Sequence, residues 1–149
     1  MTAEPSQPAA PGLLKLRAED PEDIVIISAI LQDALVAVGD MVWLPEERRF
    51  VMVLSRFRGE AAGRTLERIH CGLRFDTVAA VWRQHFTPRD RERILVLLAI
   101  RPEDKALRID FAGGAGVRLE VGRILCHLED LGEPWPTRQK PRHPVGDGG

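Results

Sequence analysis

The feature that most limits how this chain can fold is a change of apolar rhythm just beyond Gly39. Before it, Ile24, Ile27, Ile30, Leu31, Leu35 and Val38 recur every three or four residues, the spacing that lines one face of a helix. Asp20-Pro21-Glu22-Asp23 in front of them is a helix start: a side chain able to cap free amides, a proline suited to the first turn, and two acids at the positive end of the dipole. Beyond Gly39, which reads as the helix stop, the rhythm becomes every second residue, the signature of strands with one buried face.

The alternation predicts a run of antiparallel strands. Leu14-Lys15-Leu16-Arg17 is a short first strand, ahead of the helix. Val42-Trp43-Leu44 and Phe50 to Leu54 flank a polar hairpin connection at Pro45 to Arg49. After a loop with two glycines over 58–66, strands are expected near 67–75 and 78–86, and Ile94 to Ile100 is apolar enough for a strand buried on both faces. Leu107 to Phe111 and Val117 to Val121 alternate again. Ile124, Leu125, Leu128 and Leu131 then return to helical spacing, predicting a closing helix over about 122–131 that stops at Gly132. Strands in sequence with helices segregated at either end give an α+β class: a curled antiparallel sheet or partial barrel of pleckstrin-homology-like outline, with one N-terminal and one C-terminal helix.

Length and composition bound the rest. The 149 residues suit one domain, and 44% apolar with 29% charged residues is the composition of a globular protein. Seven of the 11 prolines lie before Leu13 or after Gly132, so 1–12 and 136–149 are read as mobile tails around a single domain at 13–135. No apolar run is long enough to span a bilayer and Met1 to Gly12 has no signal-peptide character, so no membrane partner and a cytoplasmic location are expected. Two cysteines make no disulfide framework and fit a reducing compartment. A net charge of −1 argues against nucleic acid as the main partner.

Several groupings have the residue types that chemistry needs. His70-Cys71 and Cys126-His127 have the composition of a zinc site, but adjacent residues on a strand point to opposite faces, and Cys126 and His127 would diverge on a helix. A Cys–His nucleophile pair, or a ligand pocket near Cys126 and His127, is the alternative function in the enzyme or small-ligand class. Phe111 to Gly116 lacks the spacing of a phosphate loop and reads as a glycine hairpin. Arg83, Arg89, Arg91 and Arg93, with His85 and Phe86, would form the surface of a nucleic-acid binder. Asp90 and Glu92 partly neutralise it, and with 18 Arg against 3 Lys an arginine cluster is ordinary for this chain. Glu46-Glu47, Glu103-Asp104 and Glu129-Asp130 are expected on turns or an exposed helix face. Trp135 is expected either to fold back over the closing helix or to stand as an exposed interface anchor.

The stretch from Leu13 to Trp135, above all Val117-Arg118-Leu119-Glu120-Val121 through Leu128-Glu129-Asp130-Leu131-Gly132-Glu133-Pro134-Trp135, resembles a family of small alphaproteobacterial proteins described as a domain of unknown function. The resemblance covers about four-fifths of the chain and implies a bacterial cytoplasmic protein; it brings no catalytic, cofactor or metal residues. The reading that follows is a non-catalytic protein-binding or adaptor module, monomer or homodimer, with no cofactor. It would hold an unknown protein partner along a sheet edge or beside the last helix, with Trp135, Arg83, Arg89, Arg91 and Arg93 as candidate contact residues.

Overall fold

A computed structural model describes residues 2–3, 13–58 and 66–137. The expected mobile tails, apart from Thr2–Ala3 and Pro136–Thr137, and most of the two-glycine loop lie outside the described residues. Within them the chain forms eleven strands and one α-helix: β1 (Thr2–Ala3), β2 (Lys15–Ala18), α1 (Pro21–Leu31), β3 (Leu35–Ala37), β4 (Met41–Leu44), β5 (Arg49–Arg58), β6 (Leu66–Phe75), β7 (Val78–Gln84), β8 (Ile94–Glu103), β9 (Ala106–Phe111), β10 (Gly116–Val121) and β11 (Cys126–Thr137). Every pairing is antiparallel. The strands form one open sheet in the order β1-β2-β11-β6-β5-β3-β8-β9-β10-β7, with β4 added on β5.

The α1 start is built as its sequence dictates. Asp20 Oδ1 accepts from the Asp23 N–H at 2.9 Å, and Asp23 Oδ2 accepts from the Glu19 N–H at 3.0 Å, a reciprocal cap that satisfies two orphan amides. The helix is shorter than its apolar stripe implies. It ends at Leu31, and Asp33, at φ 72°, turns the backbone so that Leu35 to Ala37 can pair with β8. Ile24, Ile27 and Leu31 are fully buried beneath it, and the Ser28 hydroxyl accepts from the Ile100 N–H at 2.9 Å, fixing helix to sheet.

The expected α+β class with a second, C-terminal helix is overturned. The segment 122–131 opens as a turn and continues as β11, a twelve-residue strand lying between β2 and β6, so the molecule is mostly β with one helix among the described residues. The physical reason is at Asp130. Cys126, Leu128 and Asp130 point inward, but the third is a carboxylate, so the apolar alternation that marks a strand is broken there. Leu131, on the outer face, completes the stripe that imitates a helix. The partial barrel of pleckstrin-homology-like outline is likewise replaced by a single open sheet, because among the described residues no ladder joins its free edges.

One core serves the whole sheet. Phe50, Met52 and Leu54 of β5, Leu73 and Phe75 of β6, Leu107 and Ile109 of β9, and Leu119 and Val121 of β10 belong to a single buried cluster, so the sheet bends until its two halves share an interior. Each is an alternate residue of its strand, which is why the period-two reading of those segments holds. Among the described residues, no helix is long and apolar enough to cross a membrane.

Candidate functional site

The Cys and His groups do not converge on a site. Cys71 and Cys126 point into the core and are fully buried, whereas His70 and His127 lie on the outer face of the same strands. Burial pushes the Cys71 thiol up to about 12, with Asp130 adding to the shift and Arg56 opposing it; burial also raises Cys126 strongly. Neither thiol is a nucleophile near neutral pH. On the outer face, His127 lies 3.4 Å from an Asp76 carboxylate that also takes Arg49 and Arg74, and burial followed by the Arg74 charge holds the imidazole below its usual value.

Asp130, expected on an exposed face, instead sits in the core. Its side chain is fully buried and takes a two-pronged bond from Arg56, Nε at 2.9 Å and Nη2 at 2.8 Å, while Oδ2 also accepts from the Leu14 N–H. This fork ties β5 to β11 and to the approach to β2. With both carboxylate oxygens engaged and the side chain buried, it ties strands of the sheet together.

Trp135 has no helix to fold over. It is 36% exposed on the outer face, its ring 4.7 Å from His70 across β6. The arginine group lies far along the sheet order from it. Arg89, Asp90, Arg91, Glu92 and Arg93 line a shallow surface hollow of about 540 Å³ between β7 and β8. The neighbouring aromatic that a single-stranded nucleic acid would need is withdrawn: Phe86 is buried edge-on against Phe111 at 6.5 Å.

The hollow caps a larger feature. Among the described residues β7 pairs only with β10, and β4 only with β5, so each carries one unpaired edge. The first residue of β7 is tied to the turn after β4, and the loop between β7 and β8 is tied to the residues ahead of β4. At one end the Val78 N–H donates to Arg48 O at 2.9 Å, from the turn that follows β4. At the other, the Gly39 N–H, just ahead of β4, donates to Arg91 O at 2.9 Å, and Arg93 Nη1 reaches back to His85 O at 2.8 Å. Between the ties the ladder is interrupted, leaving a seam.

Each of the two edges carries apolar side chains packed on the core. Of the six partly exposed residues packed on the core, three belong to these two edges: Met41 and Trp43 of β4 and Val81 of β7. Val78-Ala79-Ala80-Val81-Trp82 has no charge, proline or glycine, and Trp82, 50% exposed on the other face of β7, is covered on one side by the Arg118 guanidinium at 5.3 Å. Arg83 follows, on the same face as Val81 and opposite the buried Val117. Charge alone singles out Arg83 in the sequence, and Met41, Trp43 and Val81 escape notice there. The one signal for them is the contrast between an uncharged first half of β7 and its charged neighbours.

A family described as "Protein of unknown function (DUF2948)" matches residues 14–143. The chain belongs to this family. No curated protein and no solved structure matches it. Membership in DUF2948 agrees with the resemblance of Leu13 to Trp135 to a domain-of-unknown-function family, shows nothing of an alphaproteobacterial origin and carries no site assignment, so the chemistry of the seam has to be argued from its own residues.

Proposed function

We propose that this DUF2948 domain is a non-catalytic protein-binding module that takes an extended segment of a partner as an added strand along β7. The observation that supports the reading is the unpaired edge of β7, uncharged from Val78 to Trp82, beside partly exposed core residues. Sheet edges of soluble proteins are ordinarily blunted with lysine, proline or a short strand; β7 has none of these, and beyond Val78, whose N–H goes to Arg48 O, its outer edge has no ladder partner among the described residues. Main-chain bonds would supply affinity, and Met41, Trp43 and Val81 would supply pockets for alternate side chains. The deep burial of both thiols favours binding over cysteine chemistry. Two free cysteines fit a reducing bacterial cytoplasm, the setting proposed for the domain.

The test is a selection of displayed random heptapeptides against the domain, followed by amide exchange of the complex. Selected peptides are expected to slow exchange at backbone amides within Val78 to Gln84. N-methylation at alternate peptide positions is expected to abolish binding. Protection confined to the Trp135 face, or indifference to N-methylation, would overturn the reading.

A further inference from the structure

The end of β7 at Arg83 differs in charge from its start at Val78 to Trp82. Across the folded sheet, inward or half-buried guanidiniums have partners: Arg56 with Asp130, Arg58 with Glu67, Arg108 with Asp110 and Gln84, and Arg68 with the Ser55 carbonyl and hydroxyl. Arg83 is the exception. It is partly buried, and among the described residues no carboxylate lies within ion-pairing distance and no acceptor takes a hydrogen bond from it. The only influence on its pKa is burial, which lowers it, with no acidic group pulling the other way. A guanidinium stays charged at any physiological pH, so this one has lost part of its hydration without the compensation that its counterparts receive.

Its surroundings deepen the asymmetry. Arg91 lies against Gly39, its guanidinium carbon 3.3 Å from where a Cβ would stand, and Arg93 is anchored on His85 O, so both cations are held at the same end. Of the two acids in this loop, Asp90 and Glu92, the first is turned to its own loop, where it accepts from the Thr87 N–H at 3.2 Å. Met41, Trp43 and Val81 are apolar, and the net positive charge lies at Arg83 and in the loop that follows β7.

We infer that the segment taken up along β7 is an acidic peptide, with one carboxylate side chain placed two residues beyond its Val81-facing position to pair with Arg83. This rests on the strand-addition reading above and adds the chemistry of the partner. Strand geometry sets the position: residues two apart on an added strand share a face, so a side chain over Val81 and a carboxylate over Arg83 require that spacing. The planar fork of Arg83 can bind the carboxylate in two-pronged fashion, as Arg56 does with Asp130.

The probe is a set of blocked heptapeptides of alternating Thr and Val, with a single Glu walked through every position, and the same set with Gln. Binding is read by fluorescence anisotropy on the full chain, and the site by exchange protection at β7. One Glu position is expected to bind about tenfold tighter than its Gln counterpart. That preference is expected to vanish in Arg83→Gln and to pass to a Lys-bearing peptide in Arg83→Glu, with wild-type thermal stability in both variants. Equal binding of Glu and Gln peptides at β7, or a Glu preference that survives Arg83→Gln, would overturn the acidic-partner inference while leaving strand addition standing. Failure of every peptide to protect β7 would overturn both.

Discussion

Arg56 and Asp130 carry full charges into an interior otherwise built from Leu, Ile, Val and Phe. Desolvating two ions costs more than their attraction returns unless the geometry is good and further hydrogen bonds help, and here the two-pronged fork and the Leu14 amide place three bonds on the carboxylate. Removing one partner strands the other. Arg56→Ala is therefore expected to cost about 3–5 kcal/mol in a urea unfolding titration. Arg56→Met with Asp130→Leu is expected to recover most of that loss, because no uncompensated charge remains. A single variant as stable as wild type would show that the carboxylate reaches water. The same pair explains why the candidate site is only half legible in the sequence: Arg83 can be picked from its charge, but nothing among 18 arginines marks it as half-buried and, among the described residues, without an acceptor.

At the scale of elements, β11 shows how two periodicities compete within one segment. Its inward set is Cys126, Leu128 and Asp130, too polar to read as a strand face, while Leu125, Leu128 and Leu131 satisfy a helical stripe. Only the neighbours β2 and β6, which supply ladders on both sides, decide between them. By contrast β9 and β10 are legible because their inward residues are uniformly apolar, β5 because Phe50, Met52 and Leu54 alternate before Arg56, and α1 because its cap is local. The glycines at this strand pair make opposite predictions. Gly132 adopts φ +72° at the register shift in β11, and nothing lies within 4 Å of the place a methyl group would take, so Gly132→Ala is expected to destabilise by about 1 kcal/mol from backbone strain alone. Gly72 sits in β6, where a Cβ would meet Leu131 at an ordinary 3.6 Å, and Gly72→Ala is expected to stabilise by about 0.5 kcal/mol. Chemical denaturation of the two variants checks the signs.

For the whole molecule, acid is the direction of weakness. The Glu19 N–H holds the Asp23 carboxyl below its ordinary value. Burial raises Asp110, but bonds from Arg101 and Arg108 outweigh it and leave a net lowering. Both groups bind protons more readily in the unfolded chain, so their contribution is present above an unfolded value of about 4 and is lost as pH falls through the folded values. His127 is also lowered, so its neutral form is favoured in the fold and its contribution begins to fade as pH drops below about 6.5. Urea midpoints are thus expected to fall in two stages on acidification, and His127→Gln is expected to remove the upper stage alone. An upper stage that persists in that variant would assign it elsewhere.

The place of β11 between β2 and β6 reaches into the protein's synthesis. It leaves the ribosome after every other strand described, yet it joins the earliest segments to the middle of the sheet. Until it arrives, the nascent chain holds the ten-residue flank of β6 bare and Arg56 without its fork. Folding of this domain is therefore completed after translation of that segment, and the interval before it is when a chaperone would find its substrate.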